Sequence, residues 1–162
     1  MSQPSIAYDD DLFLWSQEQA RALREAGRSG TNLPLDWDNL AEEIESLGKS
    51  QRTELTRRVR TVIEHLLTLQ HSGAEEPRRG WRETIRRSRR DIDDVLDDNP
   101  SLRRGMPDIV DRVAPQAARD AADALRDQGE DAARVAAARS AAIPSAERVI
   151  GDWLPGDAED ER

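Results

Sequence analysis

From Asp36 to His71 apolar side chains recur every three or four positions. Trp37, Leu40, Ala41, Ile44 and Leu47 come first, and Leu55, Val59, Val62, Ile63, Leu66 and Leu67 follow after the polar run Lys49 to Glu54. This period predicts a long amphipathic helix, or two in near register with a kink or break at the polar run. Asp36 stands at the N-cap and Asp38 in the first turn, where carboxylates are favoured. Leu55 to Leu69 is the most apolar stretch of the chain and is expected at the centre of the fold.

Other helices are read in the same way. A first helix is predicted over roughly Asp10 to Ala26, with Phe13, Ala20 and Leu23 on one face and Leu12 and Trp15 widening it. Asp9, Asp10 and Asp11 suit the positive end of its dipole, Arg24 and Arg28 the other end, and Gly27 a C-terminal stop. Loops are expected at Arg28 to Leu35 and at Ser72 to Arg79, which contain Gly30, Pro34, Gly73 and Pro77. A third helix, roughly Gly80 to Asp98, carries Trp81, Ile85, Ile92, Val95 and Leu96 in one stripe. Its charges run against its dipole, with Arg82, Arg86, Arg87, Arg89 and Arg90 ahead of Asp91, Asp93, Asp94, Asp97 and Asp98. Pairs four apart, Arg87 with Asp91, Arg89 with Asp93 and Arg90 with Asp94, offset that cost.

Asn99-Pro100-Ser101 breaks the chain, and Met106, Ile109, Val110 and Val113 define a fourth helix with Pro107 in its first turn. Pro115 is expected to kink or end it. Beyond Ala114 the large apolar residues thin to Leu125, Val135 and Ile143 in a region rich in alanine. Helices there should be held weakly or packed at short distance. Val149, Ile150, Trp153 and Leu154 read as a terminal anchor that folds back, and Gly156 to Arg162 as an acidic, disordered tail. The fold class is therefore all-α: a bundle of about five helices with a looser alanine-rich C-terminal portion. One helical domain is expected over residues 1–155, its strongest core at 8–113.

Charge sharpens this picture. The 162 residues carry a net charge of −9, with 35% of positions charged. Residues 1–51 hold four basic and ten acidic side chains, residues 52–90 eleven and five, and residues 91–162 nine and eighteen. Overall acidity disfavours general nucleic-acid binding, and only the 52–90 segment opposes it. Without cysteine there is no disulfide, thiolate metal site or cysteine nucleophile. Met1 to Pro4 shows no secretory signal, and no apolar run reaches the length of about 18 residues that a membrane span needs. A soluble, cytoplasmic protein with no membrane partner is expected.

Three stretches carry a resemblance. They are Tyr8-Asp9-Asp10-Asp11-Leu12-Phe13-Leu14-Trp15-Ser16, the run Leu35 to Gly48 (Leu-Asp-Trp-Asp-Asn-Leu-Ala-Glu-Glu-Ile-Glu-Ser-Leu-Gly), and Asp98-Asn99-Pro100-Ser101-Leu102. Together with the basic helix around Trp81 and the segment His65-Leu66-Leu67, they resemble the bacterial family known as domain of unknown function number twenty-nine. The resemblance is good over roughly residues 8 to 113 and weaker beyond. It implies a compact all-helical bacterial protein and supplies no catalytic residue.

Candidate chemistry is sparse. Arg60 and His65 form the Arg-x4-His spacing seen in small helical ribonucleases of the HEPN type. In those enzymes arginine stabilises a developing phosphate charge and histidine moves the 2′-hydroxyl proton. On a helical wheel the two lie about 140° apart, flanking the apolar stripe. Glu42, Glu43, Glu45, Glu64, His65 and His71 could meet at a metal only if the halves of the long segment pack together. Neither histidine follows a glutamate by three residues, as di-iron bundles require. A solvated acidic face is the simpler reading, and no metal or cofactor is expected. Glycines form no phosphate loop, and Ser16, Ser46 and Ser50 have no nucleophile context. Arg78, Arg79, Arg82, Arg86 and Arg89 form a candidate basic surface, with Trp81 available for stacking on RNA or, more simply, placed in the core. These observations favour a non-enzymatic interaction or regulatory protein that meets a protein partner through charged helical surfaces. The alternative is a metal-independent RNase using Arg60 and His65.

Overall fold

The structure is a computed structural model and describes residues 6–156. The acidic tail beyond Gly156 and the opening Met1 to Pro4 lie outside the described residues. Those described are all-α, with six α-helices and no strand. The helices are α1 (Leu12–Arg28), α2 (Trp37–His71), α3 (Arg78–Asp98), α4 (Met106–Asp127), α5 (Ala132–Arg139) and α6 (Ala146–Ile150), with a 3₁₀ turn at Pro100–Gly105. The chain divides into two compact units: Met1–Leu55 with Asp94–Arg104, and Thr56–Asp93 with Gly105–Arg162.

In the N-terminal unit, α1 begins at Asp11, whose carboxylate accepts from the Leu14 N–H at 2.7 Å. The same buried carboxylate accepts from the Ser101 N–H at 2.6 Å and the Ser101 hydroxyl at 3.0 Å. The next free amide of the helix, Phe13 N–H, donates to Asn99 Oδ1 at 2.9 Å. The amide of Asn99 in turn donates to the Val95 carbonyl and to Gln51 Oε1. Of the donors that the start of α1 leaves without partners, the Leu14 N–H is thus met locally and the Phe13 N–H by a side chain 86 residues away.

Gly27 does not stop α1, which continues to Arg28 and is capped by Ser29. Its hydrogen side chain is required by close approach: a Cβ there would lie 2.7 Å from Trp37 Cβ. Gly48 is required in the same way, because a Cβ would collide with Ser16 Oγ and come within 3.2 Å of the Phe13 carbonyl. The polar run Lys49 to Glu54 neither kinks into a break nor unwinds; α2 is one helix of 35 residues. Ser50 and Thr53 satisfy their hydroxyls on carbonyls four residues back without breaking the helix, and Lys49 supports it by pairing with Glu45 at 3.2 Å. Leu40 and Leu47, expected in the buried stripe, are exposed, whereas Ala41 and Gly48 face inward.

The C-terminal unit holds the dense core. Val59, Val62, Ile63, Leu66, Leu67 and Leu69 of α2 and Ile85 and Ile92 of α3 are fully buried. On α4 a stripe of Ala114, Ala117, Ala118, Ala121, Ala122 and Leu125 is buried, and α4 packs against α5 and α6. Of the two expectations for the alanine region, packing at short distance is the one found there. Ala122 and Leu125 meet Ala138 and Val135 of α5. Pro115 does not end α4, which runs on to Asp127. The proline is exposed, as is Asp111, whose carbonyl loses its helical donor there.

Candidate functional site

Arg60 and His65 both lie on α2 within the C-terminal unit, each turned to a different neighbour. Arg60 is exposed, with Nε 3.9 Å from the Asp120 carboxylate on α4. His65 is half-buried and its Nδ1 sits 2.9 Å from the Thr61 carbonyl of its own helix. A carbonyl only accepts, so Nδ1 is the donor in this contact. Beside them, burial first and the Asp120 charge second raise the Glu64 carboxyl above its ordinary 4.5, against the opposing pull of His65 and Arg60. Arg60, Glu64, His65 and Asp120 therefore form one electrostatic patch, in which the arginine is engaged by a carboxylate.

A metal cluster from Glu42, Glu43, Glu45, Glu64, His65 and His71 does not form. Among the described residues no group of three or more His, Asp or Glu side chains is placed to hold a metal ion. Glu45 is instead engaged by Arg24 at 2.8 Å, which with Lys49 holds its carboxyl below the usual range. Burial lowers the His71 ring, whose Nε2 has no partner among the described residues.

The basic surface needs revision. Arg89 is buried, not displayed: Nε donates to the Val149 carbonyl at 2.9 Å and Nη2 to the Arg148 and Trp153 carbonyls at 2.7 and 2.8 Å. It pins the C-terminal segment that the sequence reading attributed to apolar anchoring. Arg78 is half-buried and donates to the Ser72 carbonyl. Both positions fall on the stripe of Ile85 and Ile92, and that spacing was the available signal. Arg79, Arg82 and Arg86 are exposed, and Arg90 joins them at the same helical spacing. Arg86 and Arg90 line a cleft of about 430 Å³ with Arg89, Asp93, Ile150, Asp152 and Leu154. A second cleft of about 290 Å³ runs beside Gln70, Ile143, Ser145 and Trp153, with Arg148 lying over the Trp153 ring at 4.5 Å.

One arrangement had no signature in the sequence. The loop after α2 wraps the Glu130 carboxylate: Oε1 accepts from the Ser72 hydroxyl at 2.6 Å and from the Gly73 and Ala74 amides at 2.7 and 3.3 Å. These bonds, led by Ser72, hold Glu130 below its ordinary 4.5. No helix among the described residues is long and apolar enough to cross a membrane.

Comparison with known proteins agrees with the fold and adds no activity. The chain is similar to an α-helical protein of unknown function from Rhodospirillum rubrum, known from a crystal structure. The match has a TM-score of 0.70 and 26% identity, covering 91% of this chain and 90% of that one. Comparison with curated proteins gives no match. The three stretches that carried the family resemblance meet in the N-terminal unit: Asp11 bonds Ser101, Asn99 bonds Phe13, and Gly48 packs on Ser16. They build a scaffold, and the family match reaches past residue 113 into α5. Its sequence model covers residues 7–137, and the chain belongs to the family described as domain of unknown function DUF29.

Proposed function

We propose that this chain is a non-enzymatic interaction or regulatory protein that docks an acidic protein surface through the arginine side of α3. The observation that carries the reading is the exposed row Arg79, Arg82, Arg86 and Arg90, spaced three or four residues apart beside the Arg86–Arg90 cleft. Four guanidinium groups on one helix side offer paired hydrogen-bond donors that match carboxylates in geometry as well as charge. RNA phosphates are the competing anion; the overall charge of −9 repels both at long range, so direct titration decides between them.

The experiment is a binding titration of the full chain with a labelled polyglutamate peptide and with a single-stranded RNA oligonucleotide. Wild type is expected to bind the peptide more tightly. Arg82→Glu/Arg86→Glu/Arg90→Glu should weaken it by at least about tenfold and flatten its salt dependence. Equal binding by that variant sinks the reading, and tighter binding of RNA redirects it.

The second reading, a metal-independent RNase, draws on the shared patch of Arg60, Glu64 and His65. RNA cleavage in chelator that His65→Ala abolishes would establish it in place of the first.

A further inference from the structure

The exposed large apolar side chains of the described residues are Tyr8, Leu33, Leu35, Leu40 and Leu47, all in the N-terminal unit. Four of them fall within fifteen residues. Leu40 and Leu47 are seven apart on α2, so they share a side of the helix and stand about 10 Å apart along it. Half-buried Ile44 lies between them. The inward positions of the same helix, Ala41 and Gly48, are turned about 100° further round. The apolar stripe of α2 is thus wider than the side that Ala41 and Gly48 present to the core, and its leucine shoulder is left open.

Charge says what suits that shoulder. Residues 33–47 contain Asp36, Asp38, Glu42, Glu43 and Glu45 and no lysine or arginine. Glu45 is engaged by Arg24, while Asp36, Asp38, Glu42 and Glu43 are exposed. Glu43 is three residues from Leu40 and four from Leu47, and Asp36 four from Leu40, so these two exposed carboxylates stand beside the leucines, whereas Asp38 and Glu42 fall on the far side of the helix. Leucines flanked by carboxylates disfavour an anionic lipid surface and a second copy of the same acidic face. They suit a helix with leucine-like residues on one side and lysine or arginine around it.

We propose that the leucine shoulder of α2 is a docking surface for a basic amphipathic helix of another protein. It is independent of the arginine side of α3 and takes a partner of opposite charge. Recognition divides into two parts. Burial of Leu40 and Leu47 selects for an apolar stripe, and Asp36 and Glu43 add a salt-dependent attraction that any cationic chain would feel.

The test is fluorescence anisotropy of the full chain with two labelled 18-residue peptides of identical lysine and leucine content. One has leucines at helical spacing and the other is scrambled to remove the stripe. Wild type is expected to bind the patterned peptide at least about tenfold more tightly. Leu40→Ser/Leu47→Ser should erase that preference, with helical circular dichroism unchanged. Asp36→Asn/Glu43→Gln should weaken both peptides, and Arg82→Glu/Arg86→Glu/Arg90→Glu should weaken neither, which separates this surface from the arginine face. Equal binding of the two peptides, or a preference that survives the leucine substitutions, overturns the proposal. So does sedimentation showing that wild type self-associates through Leu40 and Leu47.

Discussion

In the N-terminal unit the buried groups that fasten α1 are Asp11, Ser16, Ala20 and Asn99, whereas the C-terminal unit buries Val59, Val62, Ile63, Leu66, Leu67, Ile85 and Ile92. Besides burying Leu55, Leu96 and Leu102, the first unit uses directed hydrogen bonds and two glycines that let backbones come close. In the second, volume dominates. Hydrogen bonds specify geometry but add about 1 kcal/mol each, while a buried leucine adds about 2–3 kcal/mol. The two units should therefore respond differently to the same kind of perturbation. The apolar surface left open in the first unit follows from the same cause: small residues meet closely and cover little.

Truncation should separate the units most sharply. Leu66 is fully buried, and Leu66→Ala is expected to cost about 2–5 kcal/mol in urea unfolding. A loss below about 1 kcal/mol would show that the dense core is not what stabilises the C-terminal unit.

Adding one methyl group probes the other material. Gly48→Ala gains about 1 kcal/mol of helix propensity yet places a Cβ against Ser16 Oγ and the Phe13 carbonyl. A net loss of about 1–2 kcal/mol is expected, because the backbone carbonyl cannot swing away. Removing the hydroxyl in Ser16→Ala/Gly48→Ala should recover part of it, a coupling that a double-mutant cycle measures. If the double variant is no better than the sum of the singles, the close approach is not the reason for this glycine.

The smallest effect is expected from acid. Glu130 is held below 4.5 in the folded chain, so its contribution is present above that pH and is lost as pH falls through the depressed folded value. Glu64 has the opposite sign: its raised value makes its charged form unfavourable at neutral pH, and protonation relieves this as the solution is acidified. Thermal melts from pH 7 to pH 3 should show Glu130→Gln less stable than wild type at neutral pH and converging with it below 4.5. Glu64→Gln should start more stable and converge from the other side. Parallel curves would mean that neither carboxylate is linked to folding.

Sequence by itself determined where the helices lie, since the 3.6-residue period is local and a long apolar stripe has few other ways to be buried. The resemblance of three short stretches was legible too, and so was the break at Asn99-Pro100. Only the tertiary structure decided what those stretches do. Asp11 and Asn99 serve amides far away in the chain, Gly27 and Gly48 serve a neighbouring helix, and none of these partners can be read from local spacing. Arg89 shows the limit most clearly. Its place on the stripe of Ile85 and Ile92 signalled burial, yet only the return of residues 148–153 supplied the three carbonyls that make a buried guanidinium tolerable. Leu40 and Leu47 show the converse. Their period promised burial, but a stripe is covered only as far as its neighbours reach, and that width is set by packing between segments distant in the chain.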